Sequence, residues 1–486
     1  MTTSLPPGPR LPAVIQLARW TLRPFELLEE CERRYGDAFT LRLPGYPPTI
    51  VVSAPAAVRE VFTAGADDVH AGEANKLLEA GLGRHSILLL DGAAHLRERK
   101  LMMPPFHGDR MRAYGTTMRE VADRVIDGWP KGTPFAVHPP MQDITLDVIL
   151  RTVFGVDEGP RKAHLRALLV GLLANGSSPW FYAASLALRP DQVRAVLATG
   201  TEPLHLGGRQ IDISRWVPWR KLARVNKAVD EALFAEIARA RASSRDRADV
   251  LAMLVAARDE QSAPLSDQHL RDELLTLLLA GHETTATSLA WAFLQVLSRP
   301  DVLARLRAEV ATAAGPDGRL EPERVVALPY LDATLKESLR LCPIVPAVVR
   351  KAKRAMKVGG ITVPEGVMIA PAIYLTHRRR DVWGDPEAFR PERFLERKFD
   401  PYEFYPFGGG TRRCLGIAFA LYEMRIVLAE VLHRATLRLA PTATFRRARR
   451  GVTIAPANGV PVVLEALRPA TATPASSDAS PSTTGG

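Results

Sequence analysis

The sequence predicts a mainly α-helical protein, a single domain with a small β-sheet near its N-terminus and short β-hairpins. Between about residues 56 and 340, apolar residues recur three and four positions apart, which is the spacing of helices with one buried face. Alternating segments at 38–43 and 49–52, separated by a turn rich in Pro and Gly, instead predict a hairpin. Beyond residue 340 the pattern becomes short strands and loops rich in Pro and Gly.

The composition indicates one globular domain with a sizeable core. Of the 486 residues, 47% are apolar and 24% are charged, the proportions of a folded protein. No stretch in the middle of the chain has the composition of a linker, so we predict a domain over residues 11–468. A Pro-rich segment at 1–10 precedes it, and a Pro/Ser/Thr/Ala/Gly tail at 469–486, predicted to be disordered, follows it.

The net charge of +11 favours acidic partners, such as nucleic acid, an anionic membrane surface or an acidic protein. The basic residues are scattered along the whole chain, however, so a solvated basic surface is the simpler interpretation. Nothing but the charge recommends nucleic-acid binding, which would give a colourless protein that is retained on DNA in a salt-dependent way.

The three cysteines, at 31, 342 and 414, form no CxxC pair, which excludes a disulfide framework and a Cys-rich zinc site. This usage fits the reducing cytoplasm, and we expect the protein there. The first ten residues contain neither a secretory signal nor an anchor. The longest uncharged stretch, 167–188, is interrupted by Asn-Gly-Ser-Ser-Pro at 175–179, so we expect no membrane span.

Four elements can be placed from local signals. A helix over 24–35 ends at Gly36, and a long helix runs from an N-cap at Ser266 to residue 299, before a proline. At 1.5 Å per residue the long helix measures about 50 Å. A second hairpin is predicted within 358–371 around Pro-Glu-Gly at 364–366, and a final helix from near Cys414 to near His433.

The strongest chemical signal is the segment Phe-Gly-Gly-Gly-Thr-Arg-Arg-Cys-Leu-Gly at 407–416. Its three glycines let the backbone turn tightly and lie close to a flat ligand. Cys414 is expected at a helix N-terminus, where N–H groups and the nearby Arg412 stabilise a thiolate suited to bind iron. A Gly-rich turn with a core cysteine is the alternative, while a phosphate-binding loop is excluded because no Gly-Lys-Ser/Thr follows.

This segment resembles the Cys-ligand loop of the cytochromes P-450, which it matches at every signature position. The resemblance implies the single-domain cytochrome P-450 fold, haem b as cofactor and Cys414 as the axial ligand of its iron. Phe407 would pack beneath the thiolate and tune it, and Gly408 and Gly416 would lie against the cofactor. The resemblance covers roughly residues 5–465.

The segment Ala-Gly-His-Glu-Thr-Thr at 280–285 lies in the middle of the long helix. A carboxylate beside a hydroxyl is a reasonable proton relay, although a solvated helix face explains the same residues. By resemblance the segment crosses the distal face of the haem. Thr284 then acts on dioxygen during its activation, Glu283 feeds protons, and Ala280 keeps the helix close to the iron.

Two further sets of residues match the family. Glu337 and Arg340 share one helix face at i,i+3 spacing, which alone is a weak signal. With the match of Arg393 in Pro-Glu-Arg-Phe at 391–394, the resemblance implies a buried structural triad that holds the Cys loop. The cations that match the family's contacts to the haem propionates are His95, Arg99, Arg350 and Arg412.

The substrate segments implied by the resemblance, within 70–90, 168–188 and 345–348, are strongly apolar and indicate a lipophilic pocket. Core packing explains any one of these residues equally well. Arg42 and Tyr46 in the N-terminal hairpin are candidates for a carboxylate anchor. The candidate pocket residues are Leu77, Leu78, Leu82, Trp180, Phe181, Ala280, Val345, Ala347 and Val348.

The resemblance therefore predicts a haem-thiolate monooxygenase that activates O₂ and hydroxylates or epoxidises a lipophilic small molecule, a fatty acid or a terpenoid or polyketide. No flavin or iron–sulfur pattern follows the haem segment, so electrons are expected from a separate ferredoxin or flavodoxin with its reductase. We expect a monomer. The candidate docking residues are Arg97, Lys100, Arg110, Arg112 and Arg413.

Two other haem functions stay open beside this prediction. A P-450-type isomerase or peroxide-using enzyme needs no redox partner, but such relatives commonly lose the threonine found here at 284. A non-catalytic haem-binding sensor would bind haem and show no turnover with any electron donor.

Overall fold

The computed structural model describes residues 5–106, 110–176, 182–183, 186–187, 192, 204–206, 209–211, 218–243, 249–258 and 262–469. The helices of this part of the chain are α1 (Ala13–Leu22), α2 (Pro24–Tyr35), α3 (Pro55–Thr63), α4 (Glu79–Leu82), α5 (Gly92–Met102), α6 (Arg110–Asp127), α7 (His138–Phe154), α8 (Pro160–Gly176), α9 (Pro218–Ala242), α10 (Val250–Ala256), α11 (Asp267–Leu297), α12 (Pro300–Ala311), α13 (Pro322–Val325), α14 (Pro329–Leu341), α15 (Ile373–Thr376), α16 (Arg380–Trp383), α17 (Arg393–Glu396) and α18 (Ile417–Arg434).

The strands are short and belong to several small sheets. They are β1 (Ala38–Leu41), β2 (Thr49–Val52), β3 (Val69–His70), β4 (Pro134–Ala136), β5 (Leu204–Leu206), β6 (Arg209–Ile211), β7 (Arg350–Ala352), β8 (Met356–Val358), β9 (Ile361–Val363), β10 (Met368–Pro371), β11 (Ala435–Leu439), β12 (Arg447–Arg450), β13 (Thr453–Pro456) and β14 (Pro461–Leu467). The fold is mainly helical, as the sequence predicts.

The long helix α11 is the centre of the molecule. The Ser266 side chain accepts a hydrogen bond from the backbone N–H of His269 and so caps its first turn, as the sequence predicts. Residues on all sides of the helix are buried, because α11 packs against α7, α9, α14 and α18. A helix enclosed in this way can hold side chains of one face at a fixed depth inside the protein.

The predicted N-terminal hairpin exists, and its sheet is larger than the local signals indicate. Strands β1 and β2 pair antiparallel, with Ala38 opposite Val52. Strand β10 then joins β2 in parallel, and β7 and β3 complete the order β1-β2-β10-β7-β3. Two of the five strands therefore come from residues beyond 350, and only the tertiary fold brings them to the N-terminal hairpin.

The hairpin predicted around residues 364–366 is wrong. The antiparallel pair in this region is β8 with β9, and its turn lies at Gly359 and Gly360, both with positive φ. Such a two-glycine turn matches the twist of a hairpin. Residues 364–366 instead lead the chain from β9 into β10, which belongs to the five-stranded sheet.

The final helix begins slightly later than predicted. It spans Ile417–Arg434 with Gly416 as its N-cap, so Cys414 lies two residues before the cap. A single 3₁₀ turn at Gly410–Arg412 precedes the cysteine. Cys414 therefore lies in the connection between two helical turns, close to the N-terminus of α18.

Candidate functional site

The loop at 407–416 is held by its own backbone and by α3. The Cys414 N–H donates to the carbonyl of Phe407 at 3.0 Å, which closes the loop. A Cβ at Gly409 would lie 2.1 Å from Cδ2 of Phe62, and one at Gly410, where φ is +67°, would lie 2.3 Å from the Phe62 carbonyl oxygen. Glycine is needed at both positions because α3 occupies the space of a side chain.

Cys414 differs from the other two cysteines in its surroundings. Cys31 and Cys342 are buried in the core, whereas solvent can reach the Cys414 side chain although protein atoms surround it on most sides. Burial by the surrounding protein raises the pKa of the Cys414 thiol, while the Gly416 N–H and the guanidinium groups of Arg99 and Arg413 act in the opposite direction. The helix N-terminus alone therefore does not produce a thiolate here, and a metal ion that binds the sulfur would do so.

The four residues predicted to contact the haem propionates, three arginines and a histidine, lie beside this loop. His95 is buried on α5, and burial together with the charges of Arg412, Arg99 and Arg350 lowers its pKa to about 3. Arg350 is 6% exposed, and burial and Arg412 lower its pKa to about 10. Among the described residues the only hydrogen-bond acceptor of its guanidinium is its neighbour's carbonyl, that of Val349. This concentration of buried positive charge requires anions.

Arg99 and Arg412 also have protein partners. Arg99 Nη1 donates to the carbonyl of Arg413 at 2.8 Å, which ties α5 to the Cys loop. Arg412 donates to the carbonyls of Ile87 and Leu90 and forms an ion pair with Asp91 at 3.0 Å. The structure thus balances part of the charge of Arg412 with a carboxylate that sequence reasoning missed, while Arg350 has no ion pair among the described residues.

The segment 280–285 presents two different faces of α11. Ala280 is exposed and Thr284 is half-buried, although the neighbouring Leu278, His282 and Glu283 are buried. The Thr284 hydroxyl donates to the Ala280 carbonyl at 2.5 Å, the one-turn bond that the sequence indicates. The accessible stripe of this buried helix therefore consists of a methyl group and a hydroxyl group.

Glu283 lies on the face of α11 that packs against α7. Its Oε2 accepts from Gln142 Nε2 at 2.6 Å, its Oε1 accepts from the Thr287 hydroxyl, and His138 Nε2 lies 3.7 Å away. Burial raises the pKa of Glu283. The carboxyl group therefore keeps its proton to a higher pH than a carboxyl group in water does.

A cleft leads from the surface to Glu283. Its volume is about 490 Å³, and its walls include the polar side chains of Gln142, Asp143, His282 and Arg450. Nδ1 of the buried His282 and the Thr145 hydroxyl form a hydrogen bond of 2.8 Å. Burial lowers the pKa of His282 to about 4. The structure thus places Glu283 between this polar cleft and the helix turn that carries Thr284.

The residues of the predicted triad lie together, fully enclosed. Arg340 forms a bidentate pair with Glu337, at 2.7 and 2.8 Å, and Arg393 Nε reaches the same carboxylate at 3.0 Å. The side chains of Glu337 and Arg340 are 0% exposed. Their remaining guanidinium N–H groups donate to backbone carbonyls, Arg340 to those of 377, 386 and 388 and Arg393 to those of 383, 385 and 388.

One residue that sequence reasoning missed connects this network to the Cys loop. The carbonyl of His377 accepts from Arg340, and its ring Nε2 accepts from the backbone N–H of Tyr405 at 3.0 Å. The Tyr405 carbonyl then accepts from the N–H of Gly408. Burial lowers the pKa of His377 well below its ordinary value, so the ring is neutral and can accept. An isolated histidine in a sequence carries no signal for this role.

The predicted substrate residues before α5 lie along one segment. Leu77 and Leu78 form a half-buried 3₁₀ turn, and Leu82 is buried at the end of α4. The carbonyl of Leu82 accepts from Arg271 Nη1 of α11. The segment is therefore attached to the long helix. Trp180 and Phe181 lie outside the described residues.

Of the predicted substrate residues between α14 and β7, one is part of the core and two are half-buried. Ala347 is buried in a cluster with Phe25 and Tyr374 beside the sheet. Val345 and Val348 are half-buried, and Val348 Cγ1 lies 3.7 Å from the position of a Cβ at Gly408. Val348 is thus next to the Cys loop, whereas Ala347 contributes to packing.

The two candidates for a carboxylate anchor are not equivalent. The Tyr46 hydroxyl donates to the carbonyl of Ala74 at 2.8 Å, and burial raises its pKa. Its proton is therefore already used in a protein hydrogen bond. The Arg42 side chain is exposed.

Comparison with known proteins decides the family. The family described as "Cytochrome P450" matches residues 4–188 and 208–459, which is most of the chain. The chain belongs to the cytochrome P450 family. It is therefore a haem b monooxygenase, which uses O₂, an organic substrate and electrons from a redox partner.

Mycobacterial P450s are among its relatives. The "Putative cytochrome P450 135B1" of Mycobacterium tuberculosis is 40% identical over 472 residues, 96% of this chain and 93% of the relative. The "Putative cytochrome P450 135A1" of the same species is 35% identical, with 94% of this chain and 95% of the relative covered. The solved structure "Retinoic acid bound cyanobacterial CYP120A1" has a TM-score of 0.78 and 24% identity, covers 96% of this chain and 100% of the other, and shows the P450 fold.

The chemistry of the site fits the haem of this family. Haem carries two propionates, and the buried cations around His95 lack enough carboxylates of their own. There is room beside the cysteine at Gly416, where a Cβ would meet no atom within 4 Å, whereas a Cβ at Gly408 would lie 3.7 Å from Val348 Cγ1. Among the described helices, none is long and apolar enough to cross a membrane.

Removing the carboxylate of the buried network should strongly destabilise this P450. Glu337→Ala leaves two buried guanidinium groups without their counterion, and we expect a loss of about 3–5 kcal/mol in the free energy of unfolding. Denaturant unfolding of the holoprotein measures this. Glu396→Ala, which removes half of the exposed pair with Arg390, should cost at most about 1 kcal/mol. Equal losses in the two variants would contradict the structural role of Glu337.

Proposed function

We propose that this P450 hydroxylates or epoxidises a lipophilic small molecule, a fatty acid or a terpenoid or polyketide. The observation that carries the proposal is the accessible stripe of α11, where Ala280 offers a methyl group and Thr284 a hydroxyl group without any charge. The candidate substrate residues Leu77, Leu78, Val345 and Val348 are apolar and only half-buried. Apolar walls with few polar groups favour apolar ligands.

A spectral titration of the ferric protein tests the substrate class. We expect a low-to-high-spin shift on addition of either a fatty-acid series or neutral terpenes and macrolides. A shift with fatty acids that weakens in Arg42→Ala identifies a carboxylate ligand. Tyr46→Phe should matter less, because the Tyr46 hydroxyl already donates to Ala74. A spin shift produced only by charged, hydrophilic compounds would contradict a lipophilic substrate.

In this proposal Cys414 is the iron ligand, and haem supplies the iron at which O₂ is activated. Phe407 lies at the start of the loop and packs against the core, Gly416 leaves room for the cofactor, and Gly408 would lie against it. The cations His95, Arg99, Arg350 and Arg412 would hold the propionates. The triad and His377 fix the loop that carries the sulfur.

Replacing Cys414 should remove the thiolate character of the haem. We expect Cys414→Ser to lose the absorption band of the reduced carbon monoxide complex that is typical of thiolate ligation. Cys342→Ser is the matched control, since a hydroxyl can still accept from Gln295 as the buried Cys342 does. Retention of the thiolate band in Cys414→Ser, or its loss only in Cys342→Ser, would show that another group binds the iron.

Thr284 and Glu283 are proposed to deliver protons to the reacting oxygen. Glu283 can take protons from the polar cleft of about 490 Å³ and, because burial raises its pKa, holds one ready to donate. Thr284 follows it on the accessible stripe, with its hydroxyl held by the Ala280 carbonyl. A rotation of either side chain would connect the two faces of the helix.

Loss of either group should divert electrons from product to peroxide. We expect Thr284→Ala to lower product formed per electron pair by about tenfold or more, the scale of general acid catalysis. Ser288→Ala, which removes a similar hydroxyl bond to the Thr284 carbonyl one turn later, should change it little. Burial raises the pKa of Glu283, so the fraction of this group that carries a proton increases as the pH falls towards that pKa. The product yield should rise with this fraction, and Glu283→Gln should not show the rise. Undiminished yield in Thr284→Ala would remove its role.

The redox partner is proposed to be a separate acidic ferredoxin or flavodoxin, and the P450 a monomer. Arg97 and Lys100 are exposed on α5 and Arg413 is exposed on the Cys loop, and Arg99 joins α5 to this loop. A surface groove of about 380 Å³ beside Lys100 is lined by Leu96 and Met103. A basic rim around a small apolar groove suits an acidic protein of transient affinity. The other candidates, Arg110 and Arg112, lie at the start of α6.

Charge reversal on this face should weaken the encounter with the partner. We expect Arg97→Glu and Lys100→Glu each to raise the KM for an acidic ferredoxin severalfold with little change in kcat, and to reduce the dependence on salt. Steady-state turnover at varied ferredoxin concentration measures this. Lys357→Glu, an exposed lysine on β8, is the control. An equal effect of all three reversals would indicate net charge rather than a docking face.

A further inference from the structure

A second cluster of ligand-type side chains lies away from the Cys loop, where α5 meets the first turns of α11. His269 and Glu273 are four residues apart on α11 and so share one helix face. Glu98 faces them from α5. One nitrogen of the histidine and one oxygen of each carboxylate lie within 4.8 Å of one another.

Each of these three side chains has a polar atom without a hydrogen-bond partner in the described structure. Glu98 is 4% exposed and Glu273 1% exposed, yet Oε1 of Glu98 and Oε2 of Glu273 have no hydrogen bond in the described structure. His269 Nε2 lies 2.9 Å from Glu98 Oε2, but the geometry is not that of a hydrogen bond. Buried polar atoms without partners are costly and rare, and here each of three neighbouring side chains has one.

The neighbouring groups cannot supply the missing partner, because they are already engaged. The other oxygen of Glu273 accepts from the N–H of Ile87 at 2.7 Å. The carboxylate of Asp272 accepts from His85, Gln268 and Arg271. The Arg99 side chain, next to Glu98 in the chain, donates to Arg413 on the Cys loop.

Two carboxylates buried side by side need a positive charge or a proton. A divalent cation would satisfy both carboxylates and the imidazole at once. A proton shared by the two carboxylates would not engage the imidazole nitrogen, which lies 2.9 Å from Glu98 Oε2.

We propose that Glu98, His269 and Glu273 bind a divalent transition-metal ion at the junction of α5 and α11, separate from the haem iron. One imidazole and two carboxylates are nitrogen and oxygen ligands that Zn²⁺ accepts, and a water molecule would complete its four-coordinate shell. His85 stacks on the His269 ring, with centroids 5.3 Å apart, and is held by Asp272. This support orients His269 toward the site.

The site is connected to the haem-binding region through the backbone of one residue. The Ile87 N–H donates to Glu273, and the Ile87 carbonyl accepts from Arg412. Glu98 lies on α5 between His95 and Arg99. A metal ion here would therefore fix α5 and the 85–91 segment against α11, and its role would be structural.

The other cluster of this kind does not have the same properties. His70, Glu73 and Asp91 also lie close together, but Glu73 is paired with Lys351 and Lys353. Asp91 accepts from the backbone N–H groups of residues 72 and 73 and pairs with Arg412. Its carboxylates are already neutralised by cations of the protein.

Metal analysis of the untagged holoprotein tests the proposal without relying on activity. After chelator treatment and addition of Zn²⁺, we expect one Zn²⁺ per chain in addition to the haem iron, and a higher thermal midpoint. Glu273→Gln and His269→Ala should weaken Zn²⁺ binding about tenfold or more and abolish the thermal shift. His164→Ala and Glu365→Gln, both exposed, are the matched controls.

An unchanged haem spectrum in Glu273→Gln establishes that the variant is folded. Equal Zn²⁺ binding by native protein, site variants and controls would overturn the proposal, as adventitious surface binding. No Zn²⁺ retained by the native holoprotein would overturn it as well, and would indicate a shared proton. A preference for Ca²⁺ or Mg²⁺ over Zn²⁺ would overturn the assignment to a transition metal.

Discussion

The buried carboxylate of Glu337 is the constraint on which the rest of the site depends. It accepts from Arg340, Arg393 and the backbone N–H of residue 390, with no access to water. Each guanidinium then uses its other N–H groups to hold backbone carbonyls of the 377–388 region, which has little regular structure of its own. His377 connects this network to Tyr405 and so to the start of the Cys loop. The position of the sulfur is therefore set by charged residues that are distant in sequence.

A second electrostatic feature is the concentration of buried cations beside that loop. Arg350 is almost fully buried without an ion pair in the described structure, and the histidine at its side has a pKa lowered to about 3. Such an arrangement is costly for the protein alone. Carboxylates of a bound cofactor would offset this cost, so we expect these residues to favour an anionic cofactor and the protein to be less stable without it.

Two faces of the long helix carry different kinds of side chain. Its accessible stripe, with Ala280 and Thr284, is small and uncharged, while Glu283 points to a polar cleft on the α7 side. Consecutive residues of the helix thus face an apolar side and a polar cleft, which suits the proposed delivery of protons by Glu283. Nearer its N-terminus the same helix supplies His269 and Glu273, so a structural metal ion there would stabilise the element that carries the active residues.

The sequence by itself determined the elements whose signals are local: the Pro24–Tyr35 helix with its terminal glycine, the Ser266 cap, and a loop whose Cys and Gly spacing matches a family. It also indicated Glu337 with Arg340, since i,i+3 residues share a face. Only the tertiary structure decided that β10 and β7 join the N-terminal hairpin, that residues 364–366 are not a hairpin turn, and that Asp91 and His377 are partners of the site. These contacts join residues tens to hundreds of positions apart, and packing rather than local propensity chooses them.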